Sequence, residues 1–371
     1  MKGRIRRRSE NSWELTIDVG RDAQGRRQRK FVNVQGKKGD AERRLRELLS
    51  AAEMGLPVDA GKETLSVFME RWLTVHVAHT TRPRTLHFYR QVSRLYITPV
   101  IGHVPIQRLT PASVQAVVAG VLDKGLSPTT ARRAYATLHR ALECAMKWGL
   151  VLRNVCDAID APREAEHEVH PPDIETTKAL LTKAAETPYG AAFQLMAHTG
   201  MRRGEIPALR WDHLDLENGT LSVTAAAGRE NGKLVITPPK SKTSRRMIHL
   251  DPETVGALRA HRSRQAGYRL QLGGAYEDHG YVFASPFGRL LDPDILTKAW
   301  RSVCGELGVE YRLHDLRHHH ATALIEAGVH IKAVQTRLGH SSPSLTMAVY
   351  AHVSPAMDKE AAEAYGRAMS Q

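Results

Sequence analysis

Leu313-His-Asp-Leu-Arg-His-His-His-Ala-Thr322 and, soon after it, Leu338-Gly-His-Ser-Ser-Pro-Ser-Leu-Thr-Met-Ala-Val-Tyr-Ala-His352 are the stretches whose reading decides the fold. His314 and Arg317 are three residues apart, so on a helix they share a face and can converge on one anion. Leu313, Leu316, Leu324 and Ala327 give that helix its apolar support, and Gly328 is placed to end it. A second short helix buries Ile331, Val334 and Leu338 and stops at Gly339, which leaves His340 at the mouth of a loop. Ser342 and Pro343 then read as the N-cap and first position of a third helix, the one that carries Tyr350. One arginine, two histidines and a tyrosine thus ride on three short helices joined by tight turns, an arrangement suited to handling a phosphate.

The ordered set His-x-x-Arg, then Leu-Gly-His, then Tyr350 ten residues after His340 and followed by Ala-His-Val, resembles the tyrosine site-specific recombinases, the phage-integrase family. The resemblance implies a multidomain chain, mainly α-helical with small β-sheets. Its parts would be a small β-plus-helix N-terminal domain of the arm-binding type, a helical core-binding (SAM-like) domain, and a mixed, mostly helical catalytic domain. It also directs attention upstream. His198-Thr-Gly-Met-Arg-Arg-Gly-Glu205 contains Thr-Gly-x-Arg with Glu three residues after the arginine, similar to the family's first arginine motif, which carries that role to Arg202. Glu205 is placed to pair with a nearby cation and hold the turn. The family's lysine lies in a turn between two strands; Lys240, after Pro238-Pro239, matches that pattern best, with Lys242 as the alternative.

Composition agrees with a polyanionic partner. The chain has 371 residues, enough for two or three domains, and a net charge of +14. Its pI is near 9.8, which points first to nucleic acid and second to an acidic membrane surface. No apolar run approaches the ~20 residues that a membrane span needs, and no apolar stretch follows the basic start Met1-Lys-Gly-Arg-Ile-Arg-Arg-Arg8 as it would in a secretory leader. The three cysteines, Cys144, Cys156 and Cys304, lack metal-type spacing and fit a reducing, cytoplasmic setting.

Taken in order, residues 1–60 form a basic unit, with 15 Lys plus Arg against 7 Asp plus Glu in the first 50 residues. Trp13 to Val19 and Arg29 to Val34 alternate around a turn at Gly25, a hairpin, and a helix capped by Asp40 follows, burying Leu45, Leu48 and Leu49. Cationic side chains on the open face of such a sheet can lie in a DNA groove. After a linker at Gly55 to Gly61, residues 64–160 read as helices throughout. Leu65, Phe68, Met69, Trp72 and Leu73 mark one apolar face, and Thr85, Phe88, Tyr89, Val92 and Leu95 another. Thr110-Pro111 and Ser127-Pro128 start two further helices. The linker Ala161 to Pro172 precedes a third domain, 173–371, whose first helices bury Ala179, Leu180, Leu181, Phe193, Leu195 and Met196. Asn218-Gly219 marks a hairpin, Asp251-Pro and Asp292-Pro start helices, and residues 356–371 read as a terminal helix.

The resemblance implies a reaction. Tyr350 attacks a DNA phosphodiester, giving a 3′-phosphotyrosine and a free 5′-hydroxyl; Arg202 and Arg317 neutralise the non-bridging oxygens, His314 and His340 donate to that phosphate or take the phenolic proton, and Lys240 protonates the leaving oxygen. No ATP, metal or other cofactor is required. The implied partners are double-stranded DNA attachment sites, a homotetramer assembled on them, a DNA-bending protein and a directionality factor, all in the bacterial cytoplasm at the nucleoid and without a membrane. Three other readings compete. His314 and His318, four apart, could share a zinc ion, but no glutamate stands as hydrolytic base. The type IB topoisomerases share the same polar residues but do not exchange strands, and the basic N-terminus and short length favour the integrase. An inactive DNA-binding regulator of the same fold is disfavoured because every expected position is filled.

Overall fold

The computed structural model describes residues 3–21, 27–53, 63–163, 170–230, 232–238 and 245–339. The chain is mostly helical with small antiparallel sheets and divides into two compact units, Met1–His167 and Glu168–Gln371. No helix among the described residues is long and apolar enough to cross a membrane.

The first unit begins with a three-stranded antiparallel sheet, β1 (Gly3–Ser9), β2 (Ser12–Arg21) and β3 (Arg27–Gln35), followed by α1 (Lys38–Glu53). Leu15 and Ile17 of β2 face Ala41 and Leu48 of α1, with Ile5, Trp13, Val32 and Val34 completing the patch. The expected hairpin is present as β2 and β3, and its turn at Gly25 lies outside the described residues. The sequence reading missed β1, because Ile5 is its one large apolar residue amid arginines. Gly3 lets β1 approach the helix: a Cβ there would meet Leu45 Cδ1 at 2.7 Å. Asp40 sits inside the first turn of α1, three residues after the cap position at Lys37, and its carboxylate accepts from the Lys37 N–H at 3.0 Å.

The helices of this unit are α2 (Leu65–Arg71), running on through the wider π-type turns Trp72–Val77 into α3 (Ala78–Thr80); α4 (Pro83–Val92), continuing through Ser93–Ile97 into α5 (Thr98–Ile101); α6 (Pro111–Leu122); and α7 (Pro128–Lys147). Thr110 and Ser113 form a reciprocal capping box on α6, and Ser127 caps α7 through the Thr130 N–H. Phe68, Trp72, Ile97, Val114 and Leu138 are buried in one core. Leu95 was expected on the apolar face but is exposed, and Ile97 takes its place at 0% exposure. The π-type turns hold more residues per turn than the 3.6 assumed, so the buried stripe rotates along the chain there.

The second unit opens with α8 (Ile174–Ala185), capped by Asp173, and α9 (Gly190–Thr199). Leu180 is buried as expected, but Ala179 is exposed, and Thr177 and Ala184 join Leu180 on the inward face. Strands β4 (Leu214–Asp215), β5 (Thr220–Val223) and β8 (Arg246–His249) form one sheet in the order β4-β5-β8, and β6 (Ala226–Glu230) pairs with β7 (Lys233–Thr237) in a separate hairpin. The Asn218-Gly219 hairpin is present between β4 and β5, with Leu214 opposite Leu221 and Gly219 at φ +59. Then come α10 (Pro252–Leu272), α11 (Pro293–Glu306), α12 (Asp315–Glu326) and α13 (Ile331–Leu338). Asp251 and Asp292 cap α10 and α11 as their Asp-Pro sequences suggest. Phe193 and Trp300 meet at 5.2 Å in the centre of this core, and the Trp300 indole N–H donates to the Tyr311 carbonyl at 3.1 Å.

Trp300 is 1% exposed. Trp300→Ala is therefore expected to destabilise the second unit by about 3–5 kcal/mol. Urea denaturation checks this, as a lower midpoint with an unchanged slope.

Candidate active site

The site is built around the ends of α9 and α13. Gly200 closes α9 at φ +64, a left-handed conformation that favours glycine, and a Cβ there would lie 2.5 Å from Leu338 Cδ2 and 3.0 Å from His320 Cδ2. The turn after it is held by Glu205, which is 5% exposed. Its carboxylate accepts from the Arg202 backbone N–H at 2.8 Å and from Arg202 Nη1 at 2.9 Å. The cation that pairs with Glu205 from elsewhere is Arg246, the first residue of β8, whose Nη1 and Nη2 donate to Oε1 and Oε2 at 3.1 and 2.8 Å. Burial alone would push the Glu205 carboxyl pKa up, but the bonds from Arg246 and Arg202 outweigh it and hold the pKa below the usual range.

The last carbonyls of a helix have no partner inside it and carry the negative end of its dipole. At the end of α13, three successive carbonyls are each taken by a different arginine. Arg246 Nε donates to Arg337 O at 2.6 Å, Arg317 Nη2 to Leu338 O at 2.6 Å, and Arg202 Nη2 to Gly339 O at 2.7 Å. Arg317 Nη1 also donates to the Gly200 carbonyl, so one guanidinium ties the ends of α9 and α13 together. Arg317 is 3% exposed. Burial first and the Arg202 charge second pull its pKa down to about 9, which still leaves it cationic at neutral pH.

His314 and Arg317 fall where the sequence places them. His314 precedes α12 as its N-cap residue and Arg317 lies in its first turn, with Leu313 and Leu316 in the core beneath. His314 is exposed at its edge, and its ring stands at 5.0 Å from that of His318, nearly perpendicular to it. Desolvation by the surrounding protein, then His318, Arg317 and Arg202, lower its pKa to about 4, a pull that solvent at the open edge tempers. It is neutral at pH 7. Among the described residues, the one group of three metal-type ligands within reach of one another is His198, Asp251 and Glu253, which includes neither His314 nor His318.

Lys240, Lys242, His340 and Tyr350 lie outside the described residues. Three of the expected site residues, Arg202, His314 and Arg317, come together, and the carbonyl held by Arg202 belongs to Gly339, directly before His340. The sequence reading missed three residues that hold this frame. Arg246 alternates with Ile248 on the inward side of β8, so a charge at an apolar position of a short strand was the available signal. Arg337 bridges three groups: its Nε donates to His320 Nε2 at 3.0 Å, and its Nη2 to the carbonyls of His198 and His249 at 3.0 and 3.1 Å. His320 is buried, and its ring also hydrogen-bonds the Ala197 backbone.

Residues 174–357 match the phage integrase family, and residues 64–121 match the N-terminal SAM-like domain of phage integrases. A XerC-like tyrosine recombinase of Caldanaerobacter subterraneus subsp. tengcongensis is 30% identical over 372 residues, covering 95% of each chain. The integrase of Mycobacterium phage L5 is 29% identical over 309 residues, 82% of this chain and 79% of that one. The Tn1549 transposon integrase, solved in complex with a circular intermediate DNA, superposes at TM-score 0.70 and 18% identity over 82% of this chain and 99% of that one. A lambda integrase dimer bound to a core site superposes at TM-score 0.60 and 17% identity, over 93% of each chain. These two likenesses are likenesses of fold.

Two outcomes follow from the buried charges. Glu205→Gln leaves Arg246 buried without its counter-charge and is expected to cost about 3–5 kcal/mol in chemical denaturation. The second concerns His320, whose pKa burial, followed by the Arg337 charge, lowers from 6.5 to about 3. Between those values the unfolded chain binds a proton that the folded one refuses, so stability falls as pH drops through that window, by at most about 1.4 kcal/mol per pH unit. Melting temperatures from pH 7 to pH 4 are expected to fall less steeply in His320→Gln than in the wild type.

Proposed function

Because the chain belongs to the phage integrase family and is a site-specific recombinase, we propose that it cleaves and rejoins DNA through a 3′-phosphotyrosine on Tyr350, integrating or excising a phage or other mobile element. The observation that carries this reading is the meeting of Arg202 and Arg317 at the end of α13, immediately before His340. A guanidinium has five donors in a fixed fork, so it can hold a helix end with some and phosphate oxygens with others. The family match runs to residue 357 and so spans His340 and Tyr350.

In the proposed reaction the Tyr350 oxygen loses its proton and bonds to phosphorus as the bond to the 5′-oxygen breaks. Arg202 and Arg317 face the non-bridging oxygens, where a preorganised donor typically contributes ~3–4 kcal/mol to the transition state. A neutral His314 can accept the phenolic proton or donate its ring N–H to the phosphate, and His340 shares that task. Lys240 gives a proton to the leaving 5′-oxygen. A 5′-hydroxyl of the partner strand then attacks the phosphotyrosine and restores the diester, with no ATP, metal or other cofactor.

Double-stranded attachment sites are the proposed substrate. Residues 1–60 act as the arm-type DNA-binding domain, 64–160 as the core-binding domain and 173–371 as the catalytic domain. The open face of the N-terminal sheet supports the first assignment: Arg4, Arg6 and Arg8 alternate away from Ile5, and Phe31, opposite Thr16, is 63% exposed. A lambda integrase tetramer has been solved on a Holliday junction, which supports a tetramer on DNA here. A bending protein and a directionality factor are further partners, and the work takes place in the cytoplasm at the bacterial nucleoid.

Nicked duplexes carrying the element's junctions test the reading, incubated with protein in EDTA and resolved on a denaturing gel. A covalent protein–DNA band is expected for the wild type and none for Tyr350→Phe. Tight binding without an adduct in either would make the chain a non-cleaving DNA binder.

A further inference from the structure

Three arginines close the end of α13, and two of them, Arg202 and Arg317, belong to the site assigned above. We propose that the third, Arg246, is a positioning residue for strand cleavage: through Glu205 it aims the Arg202 guanidinium, and through the Arg337 carbonyl it sets the helix end that leads into His340. The inference rests on the reading of Arg202 and His340 as groups that face the reacting phosphate.

The Arg246 side chain is 3% exposed, and its Nε, Nη1 and Nη2 are each engaged by protein acceptors, the Arg337 carbonyl and the two Glu205 oxygens. A buried ion pair is an expensive way to fill space, and apolar side chains of similar volume often serve stability as well or better. On β8, the other inward residue is Ile248, so an aliphatic side chain is what the strand pattern calls for. The geometry supplies a reason for the charge. Each Glu205 oxygen is shared between the two arginines: Oε1 accepts from Arg246 Nη1 and Arg202 Nη1, and Oε2 accepts from Arg246 Nη2 and the Arg202 backbone N–H. A carboxylate gripped at both oxygens by one planar fork cannot rotate, and Arg202 inherits its direction from that carboxylate. The Nε of the same fork holds Arg337 O, the first of the three carbonyls whose other two hold Arg317 and Arg202. Lysine, a point donor on a flexible stem, cannot span the carboxylate and the carbonyl together. Arg246 also stands six residues after Lys240, at the point where the chain re-enters the sheet opposite Val223.

The test is single-turnover covalent capture on a nicked attachment site at saturating protein, with DNA binding measured separately, for the full-length wild type, Arg246→Lys and Arg246→Gln. Displacing a reacting group by about 1 Å can cost on the order of a hundredfold in rate. Both variants are therefore expected to bind DNA within about threefold of the wild type and to form the adduct with a rate constant about a hundredfold lower. A purely structural role moves a different quantity: fewer folded molecules lower the amplitude of capture and leave the rate constant unchanged, and that result overturns the proposal. Arg246→Gln buries no charge and keeps a donor toward Glu205, so it serves if the lysine variant does not fold. A substrate with a bridging 5′-sulfur, whose leaving group needs no proton, separates the two routes to the phosphate. Continued slowness on it supports action through Arg202, while full recovery places the defect at Lys240 and overturns the assignment. An adduct missing even from the wild type sinks the recombination chemistry itself, whereas a wild-type adduct with unchanged variant rate constants sinks this inference alone.

Discussion

A helix that stops inside a protein must give its last carbonyls to other donors, and the second unit is arranged around how α13 does so. Its final three carbonyls go to three guanidiniums that come from three places: the turn after α9, the start of β8 and the first turn of α12. Glu205 is the buried carboxylate bonded to two of them. Three cations around one anion and a helix C-terminus leave positive charge over, in a place where water screens it poorly. Burial first, and the neighbouring Arg202 charge second, lower the Arg317 pKa. On the proposed reading, the protein meets the cost of gathering like charges when it folds, and a phosphate brought between Arg202 and Arg317 gains from charges already in place.

This explains which parts were legible in the sequence. The expected site residues that the structure brings together, Arg202, His314 and Arg317, sit in short motifs whose spacing is tied to helix ends. Gly200 and Gly339, both left-handed helix stops, mark those ends in any reading of the chain. The residues that hold the frame were not legible, because each acts across a long separation: Arg246 lies 41 residues from Glu205 and 91 from the carbonyl of Arg337. Nothing local to Arg246 distinguishes it from Arg245 except the inward register of β8, and register depends on the partner strand. The same applies at the N-terminus. Strand β1 exists because β2 offers it an edge and α1 covers Ile5, neither of which a window of arginines can announce. In the helical core the failure was of phase, since π-type turns shift which residues face inward after Ser93.

The run His318-His319-His320 shows why adjacency in sequence is a poor guide to a cluster. Successive residues on a helix point about 100° apart, so these rings leave in different directions. His318 turns toward His314, His319 Nδ1 bonds the Pro172 carbonyl at 2.8 Å, and His320 enters the core to receive Arg337. The pair that does share a face, His314 and His318, gathers no third ligand among the described residues, whereas His314 and Arg317 share theirs with the end of α13. The electrostatic consequence reaches the chemistry. Burial and the neighbouring cations keep His314 neutral around pH 7, while Arg317, even with its pKa lowered, stays cationic there. In the proposed reaction this leaves His314 to pass a proton around neutrality while the arginines carry the charge, so proton transfer is separated from phosphate neutralisation by residue type.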